Sequence, residues 1–217
     1  MADYRKFFDP LIKSVEGHSD DVYADQKGNA TVGTGLNLED GTVQGLMKMR
    51  GYDPDEVKTG KRQIASEDLT SINDSYLNDR ERLVKGKMGN DLYDTLQPHE
   101  KAAMMSMGYQ SLNNLGPTLT GAIAGNDKIA SLREMILNTN KDKDPGILRR
   151  RMQEAELYGG PLDFSSAFKV MSPEEKQQLT SIIEKTQNEH TRKELMDKYG
   201  PYLNDAPAKQ AFSKLFP

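Results

Sequence analysis

The sequence predicts an α+β protein that is predominantly helical, with a small β element near the N-terminus and a helical body behind it. Three observations carry this. Two short segments of alternating polar and apolar residues, Asp21 to Asp25 and Thr31 to Thr34, flank the turn-forming run Gln26-Lys27-Gly28-Asn29. Beyond residue 40 nothing alternates in that way, while helix-start signals recur. After Gly160 the apolar stripe becomes sparser, so the last quarter reads as a separate helical stretch.

Taken in order, Asp9-Pro10 is expected to start the first helix, because aspartate accepts from orphan N–H groups and proline fits the first turn. Leu11, Ile12 and Val15 then share one face, and Gly17 supplies a stop. The β-hairpin follows, with a possible third strand near Leu36 to Leu38. Helices are expected over Gly41 to Met49, from Ser66 to about Gly86, and over Asn90 to Leu96. Pro98 opens the apolar run HEKAAMMSMGYQSL, in which Met104, Met105 and Met107 read as core filler. Asn126-Asp127 caps IASLREMIL. Asp144-Pro145 opens GILRRRMQEAELY, which Gly159-Gly160 should end. Ser172-Pro173-Glu174-Glu175 combines a capping box with proline at the first helical position. The helix it starts should run to Tyr199 and stop at Gly200-Pro201, before a last short helix from about Ala208 to Leu215. The expected division is a unit of residues 1–162 and a helical extension of 163–217.

Composition narrows the function. A chain of 217 residues can bury a real core. Its net charge of −4, with both signs interspersed, argues against non-specific nucleic-acid binding. There is no cysteine, which excludes disulfides and thiolate metal sites and leaves the redox compartment open. The N-terminal stretch is too polar for a secretory signal, and no apolar run is long enough to span a bilayer. No cofactor and no metal is expected, and His99 and His190 have no partners at ligand spacing.

The chemistry concentrates in EGHSDDVYADQKGNATVGTG, residues 16–35. A glutamate at a helix end beside a core-facing stripe is partly desolvated, which suits a general acid. An aspartate on a hairpin strand near solvent stays ionised and can act as base or charge stabiliser. Two carboxylates in unlike environments are what cleavage of a glycosidic bond needs. The Thr31 hydroxyl could hold the attacking water, and Gly33 and Gly35 leave space for a ligand close to the backbone. Single Glu, Asp and Thr residues near turns are common, so the identities around them decide.

The pattern E-x8-D-x5-T in this setting, with its EG pair, Y-x-D and G-x-G, resembles the catalytic segment of the T-even-type phage lysozymes, glycoside hydrolase family 24. LYDTLQPHEKAAMMSMGYQ is similar to that family's central helix, and GILRRRMQEAELY to its G-x3-RR-x2-E-x2-L helix, so the likeness covers roughly residues 8 to 160. It implies a two-lobed fold, with a small β-hairpin lobe and a helical lobe flanking a cleft. It also implies a muramidase that cleaves the β-1,4 bond between N-acetylmuramic acid and N-acetylglucosamine in bacterial peptidoglycan, with inversion. By this resemblance Glu16 is the general acid, Asp25 the carboxylate that handles the water, and Thr31 the residue that positions it. Gln110 matches a cleft glutamine and Arg150 an arginine that pairs with the catalytic glutamate; Gly35 and Tyr23 are supporting positions. The chain departs from the family in three ways. Leu36 stands where those lysozymes have histidine, there is no tryptophan to serve as a sugar platform (Tyr23 and Tyr109 being weaker substitutes), and the balance of charge is acidic.

Of Arg149-Arg150-Arg151, one is expected near the site and two in solvent, since consecutive helical positions fan over different faces. His18 is expected to be a solvated helix-end residue. An endolysin released through a membrane pore and a virion-borne enzyme both fit the absent leader. The extension could pack on the body, bind a partner or the wall, or join a larger virion polypeptide. The competing classes are a non-cleaving glycan- or partner-binding module and a lytic transglycosylase.

Overall fold

The computed structural model describes residues 4–25, 28–137 and 144–204. Among them the chain is predominantly helical with one small antiparallel sheet, in strand order β1-β2-β3. The first helix, α1 (Arg5–Glu16), begins earlier than Asp9-Pro10 suggests, and Pro10 lies inside it. Proline there forfeits one backbone hydrogen bond. The helix runs through it because Tyr4, Phe8 and Ile12 stand four residues apart and bury one stripe. Gly17 ends α1 in the left-handed region (φ 75°), where a Cβ would be strained.

The sheet comprises β1 (Ser19–Ala24), β2 (Ala30–Gly33) and β3 (Leu36–Asn37). Tyr23 lies opposite Thr31 and Ala24 opposite Ala30, while Thr31 also faces Asn37, so β2 is the central strand. Gln26 and Lys27, the middle of the expected turn, lie outside the described residues. Helices α2 (Gly41–Met49), α3 (Pro54–Lys58), α4 (Ser66–Met88), α5 (Asn90–Thr95), α6 (Pro98–Gln110), α7 (Pro117–Ala124) and α8 (Lys128–Leu137) follow. Of these, α3 and α7 have no counterpart in the sequence reading; each begins with proline at its first position.

The span α9 (Pro145–Val170) is two helical segments that meet at Gly160, so the first ends at Gly159-Gly160 as expected. Gly160 takes a non-helical conformation (φ 67°, ψ 177°) that breaks the helix, and Pro161 starts the second segment. The stretch after the Ser172 capping box is likewise two helices, α10 (Pro173–Glu184) and α11 (Glu189–Leu203), where one was expected. Asn188 caps α11 by accepting from Thr191 N–H at 2.9 Å, and Pro201 sits within the helix rather than ending it. The expected helix over residues 208–215 lies outside the described residues.

Two buried apolar clusters hold these elements. The larger takes Phe8 and Ile12 from α1, Met104, Met105 and Met107 from α6, and Leu148 and Met152 from α9. It continues without a break into Phe164, Phe168, Leu179, Leu195 and Tyr199, so side chains from both sides of position 162 share one core. The smaller joins Val32 and Leu36 of the sheet to Val43, Met47, Ile72 and Tyr76. Tyr109 packs against both clusters, edge-on to Phe8 and to Tyr76 at 6.1 and 5.7 Å between ring centroids. Leu36 is buried in the smaller cluster.

Candidate functional site

Glu16 is the last residue of α1, and groups from three other elements contact it, two at the side chain and one at the backbone carbonyl. From α9, Arg150 Nη1 donates to Glu16 Oε1 in an ion pair. From the β2–β3 turn, Gly35 (φ 76°) presses against it: a Cβ added there would lie 3.3 Å from Glu16 Cβ and 3.5 Å from Cδ. From β1, the Tyr23 hydroxyl donates to the Glu16 carbonyl at 3.4 Å. The glycines therefore leave no room for a ligand. The space beside Gly35 is filled by Glu16, and that beside Gly33 by Asn73 and Leu69 of α4. Their small size serves the close approach of the sheet to the helices.

Arg150 is itself immobilised. Its Nε donates to Glu154 Oε1 at 3.0 Å and its Nη2 to the Ser106 carbonyl at 2.8 Å. The neighbouring Arg151 is fully buried, donating through Nη1 to Glu154 and through Nη2 to Gln110 Oε1. Burial, and then the like charge of Arg150, push the Arg151 pKa down to about 9. This corrects the expectation of one arginine near the site and two in solvent: only Arg149 lies outward, paired with Glu194 at 3.1 Å. The reason is Glu154, three residues from Arg151 and four from Arg150, so one carboxylate serves both. The R-R-x-x-E spacing carried that signal in the sequence.

The hairpin end is built locally. Asp25 follows β1, and its carboxylate accepts from the Asn29 N–H at 2.8 Å and from the Asn29 amide at 3.0 Å. Thr31, 3 % exposed, donates its hydroxyl to the Asn29 carbonyl at 3.1 Å. Its oxygen keeps lone pairs that can accept. Tyr23 links the two ends. Burial raises its pKa, the charge of Glu16 raises it further, a backbone hydrogen bond at Gly35 opposes this, and the charge of Asp25 adds a smaller increase. One phenol thus senses both carboxylates.

Gln110, exposed at the end of α6, accepts from Asn114 Nδ2 at 3.1 Å as well as from Arg151. Tyr109 is a junction residue rather than an open platform; its hydroxyl donates to the Thr34 carbonyl at 2.8 Å and burial raises its pKa. His18 is exposed, with Nδ1 2.9 Å from Thr34 Oγ1 and Nε2 3.2 Å from Asp20. It lines a recess of about 190 Å³ between α1 and α4, with Asp9, Lys13 and Asn73; Glu16, Asp25 and Gln110 are not among its walls.

The seven residues singled out in the sequence thus form one linked chain: Asp25 and Thr31 meet at Asn29, Thr31 pairs with Tyr23, Tyr23 and Gly35 touch Glu16, and Arg150 leads from Glu16 toward Gln110. Sequence reasoning passed over Ser106, Glu154, Arg151 and Asn29. No protein-family model matches this chain, and no curated protein is similar enough to count as a relative. No helix among the described residues is long and apolar enough to cross a membrane.

Proposed function

We propose that this protein is a peptidoglycan hydrolase, a muramidase with Glu16 as general acid and Asp25 as the carboxylate that activates water. The observation that carries the reading is the contrast between the two carboxylates around Tyr23: Glu16 pinned by Arg150 against Gly35, Asp25 set in a turn at the sheet edge. Two carboxyl groups in unlike settings are the arrangement that hydrolysis of a glycoside requires.

In the reaction the protonated Glu16 gives its proton to the glycosidic oxygen as the C1–O bond breaks. Water attacks C1 from the opposite face and Asp25 takes its proton, so one water is added and the anomeric configuration inverts. Inversion needs the two carboxyl groups about 6.5–9.5 Å apart when substrate is bound. Once Glu16 has given up its proton it is an anion, and Arg150 is placed to stabilise it. Thr31 contributes an acceptor for the water, and Gln110 an exposed amide for the glycan. A β-hairpin lobe and a helical lobe flanking a substrate cleft belong to the same reading.

The test is release of reducing ends from purified peptidoglycan. Glu16→Gln should lose at least about a hundredfold in rate, the usual contribution of a positioned acid, while remaining folded. Equal activity in parent and variant would reject Glu16 as the acid, and anhydro-muramyl products would replace hydrolysis by transglycosylation. The competing reading is a module that binds glycan without cutting it. In its favour, the Thr31 hydroxyl is buried and already donated to Asn29. A parent that binds purified walls yet releases nothing would establish it.

A further inference from the structure

The buried polar cluster behind Glu16 is larger than the proposed chemistry uses. Glu154 has no exposed surface and accepts three hydrogen bonds: from Ser106 Oγ at 2.5 Å and Arg150 Nε at 3.0 Å on one oxygen, and from Arg151 on the other. Each arginine reaches outward from it, Arg150 to Glu16 and Arg151 to Gln110. Formal charges cancel across Glu16, Glu154, Arg150 and Arg151. Yet two guanidiniums are costly to bury even when paired, and apolar side chains of similar volume commonly stabilise a core as well or better. The Nε of Arg151 is buried without a partner, which adds to that cost. What the cluster supplies that apolar packing cannot is direction. A guanidinium is a rigid planar fork, so fixing its Nε fixes where its terminal nitrogens point.

We propose that Glu154 is a positioning residue: one buried carboxylate that holds Arg150 on Glu16 and Arg151 on Gln110. This setting of the acid and the exposed amide rests on the hydrolase reading above. The two branches serve different steps. The Arg150 branch acts on the group that transfers a proton, so it governs kcat. The Arg151 branch acts on an exposed amide some distance along α6, so it governs glycan affinity and appears in KM.

The chemistry of one substitution separates the branches. In Glu154→Gln the side chain keeps its shape but offers a single carbonyl oxygen, and its NH2 is a donor that cannot accept from an arginine. Two arginines then compete for one acceptor. In Glu154→Gln combined with Arg151→Met the competitor is gone, and the amide oxygen is free for Arg150 Nε.

The experiment uses the full chain. kcat and KM are measured on soluble peptidoglycan fragments and normalised to folded protein, alongside the NMR resonance of the Arg150 Nε–H. Glu154→Gln is expected to lower kcat by about tenfold to a hundredfold, to raise KM several-fold, and to displace the Arg150 resonance. The double variant should recover kcat to within about fivefold of the parent while KM stays raised, because Gln110 still lacks its donor. A purely structural Glu154 would lower the folded fraction and leave kcat and KM of folded molecules unchanged, and that result overturns the proposal whatever the resonance does, because Glu154 accepts directly from Arg150 Nε. Should Glu154→Gln fail to fold, Ser106→Ala removes one donor to the same oxygen together with the 3.3 Å bond that Ser106 Oγ accepts from Arg150 Nη2. It should displace the Arg150 resonance with a smaller loss of kcat; an unmoved resonance and unchanged kcat overturn the proposal there too. An inactive parent would overturn the hydrolase reading alone. The positioning role would then be decided at the far end of the guanidinium: a Glu16 carboxyl carbon resonance displaced in Glu154→Gln supports it, and one left unmoved rejects it.

Discussion

The two proposed catalytic carboxylates are held by opposite means. Asp25 is fixed by a residue four positions away, through both the backbone and the side chain of Asn29. Glu16 is fixed by Arg150, 134 positions away, and by the fit of Gly35 against its side chain. The first arrangement forms wherever the turn forms. The second exists only when α1, the sheet and α9 are all in place, so it reports on the assembled fold. Perturbing the Glu16 end should therefore cost global stability, whereas perturbing the Asp25 end should cost function with little change in stability.

The largest expected effect is at Arg150. Arg150→Leu leaves the fully buried Glu154 with one cation where it had two, and Ser106 loses a donor to its carbonyl. Removing one partner of a buried pair typically costs about 3–5 kcal/mol. Denaturant unfolding should show that loss as a lower midpoint with an unchanged slope. A loss below about 1 kcal/mol would mean that Arg150 behaves as a surface residue and that the contrast between the two ends is false.

Gly35→Ala comes next, because it attacks the same end by shape alone. The residue is left-handed (φ 76°), and the new methyl group would sit 3.3 Å from Glu16 Cβ. The backbone penalty is about 1–2 kcal/mol, and shifting the acid should cost about tenfold to a hundredfold in rate. An activity loss no greater than the loss of folded protein would show that Glu16 tolerates displacement.

Asn29→Ala tests the other end. It removes the side-chain bond to Asp25 but keeps the backbone bond, so the stability cost should be about 1 kcal/mol or less. Activity should fall severalfold, and the Arg150 Nε–H resonance should not move. A displaced resonance would show that the hairpin and the arginine cluster are coupled and the two ends are not independent.

These differences mirror what could be read from the chain. The turn at Asp25, the hairpin around it, the glycine stop at Gly17 and the Ser172 capping box are local. Each depends on residues within a few positions, and each stands where the residues suggested. The start of α1 was misplaced because Asp9-Pro10 carries a strong local signal, while the stripe Tyr4, Phe8, Ile12 acts only through packing. The same competition explains Gly200-Pro201, which punctuates strongly on paper and is overridden by a core that continues past it, whereas Gly160 breaks the helix where the residues suggested. The pair Glu16–Arg150 was accessible through resemblance alone, since no local pattern joins residues so far apart. Glu154 was visible as spacing, but charged residues on a helix are usually solvated, and only assembled helices reveal that this one is not.

The smallest expected effect bears on the one side chain common to both ends. The Tyr23 pKa is raised by burial first, then by the charge of Glu16, and least by that of Asp25. A negative neighbour disfavours the phenolate, so removing it must lower the phenol pKa. Glu16→Gln should therefore bring the Tyr23 titration down toward the ordinary value near 10, and Asp25→Asn should bring it down less, as followed by the NMR signal of the ring carbon bearing the hydroxyl. The sign for stability follows as well. A phenol whose pKa is higher in the folded state favours folding below the unfolded pKa, and that contribution is lost as pH rises through the folded value. Tyr23→Phe should then change stability little at neutral pH, where only the long bond to the Glu16 carbonyl is lost, and should make alkaline unfolding slightly less steep. If Asp25→Asn moved the titration more than Glu16→Gln, the phenol would lie nearer the hairpin carboxylate. Tyr23 would then belong to the water-handling end, and the division of labour between the two carboxylates would have to be redrawn around it.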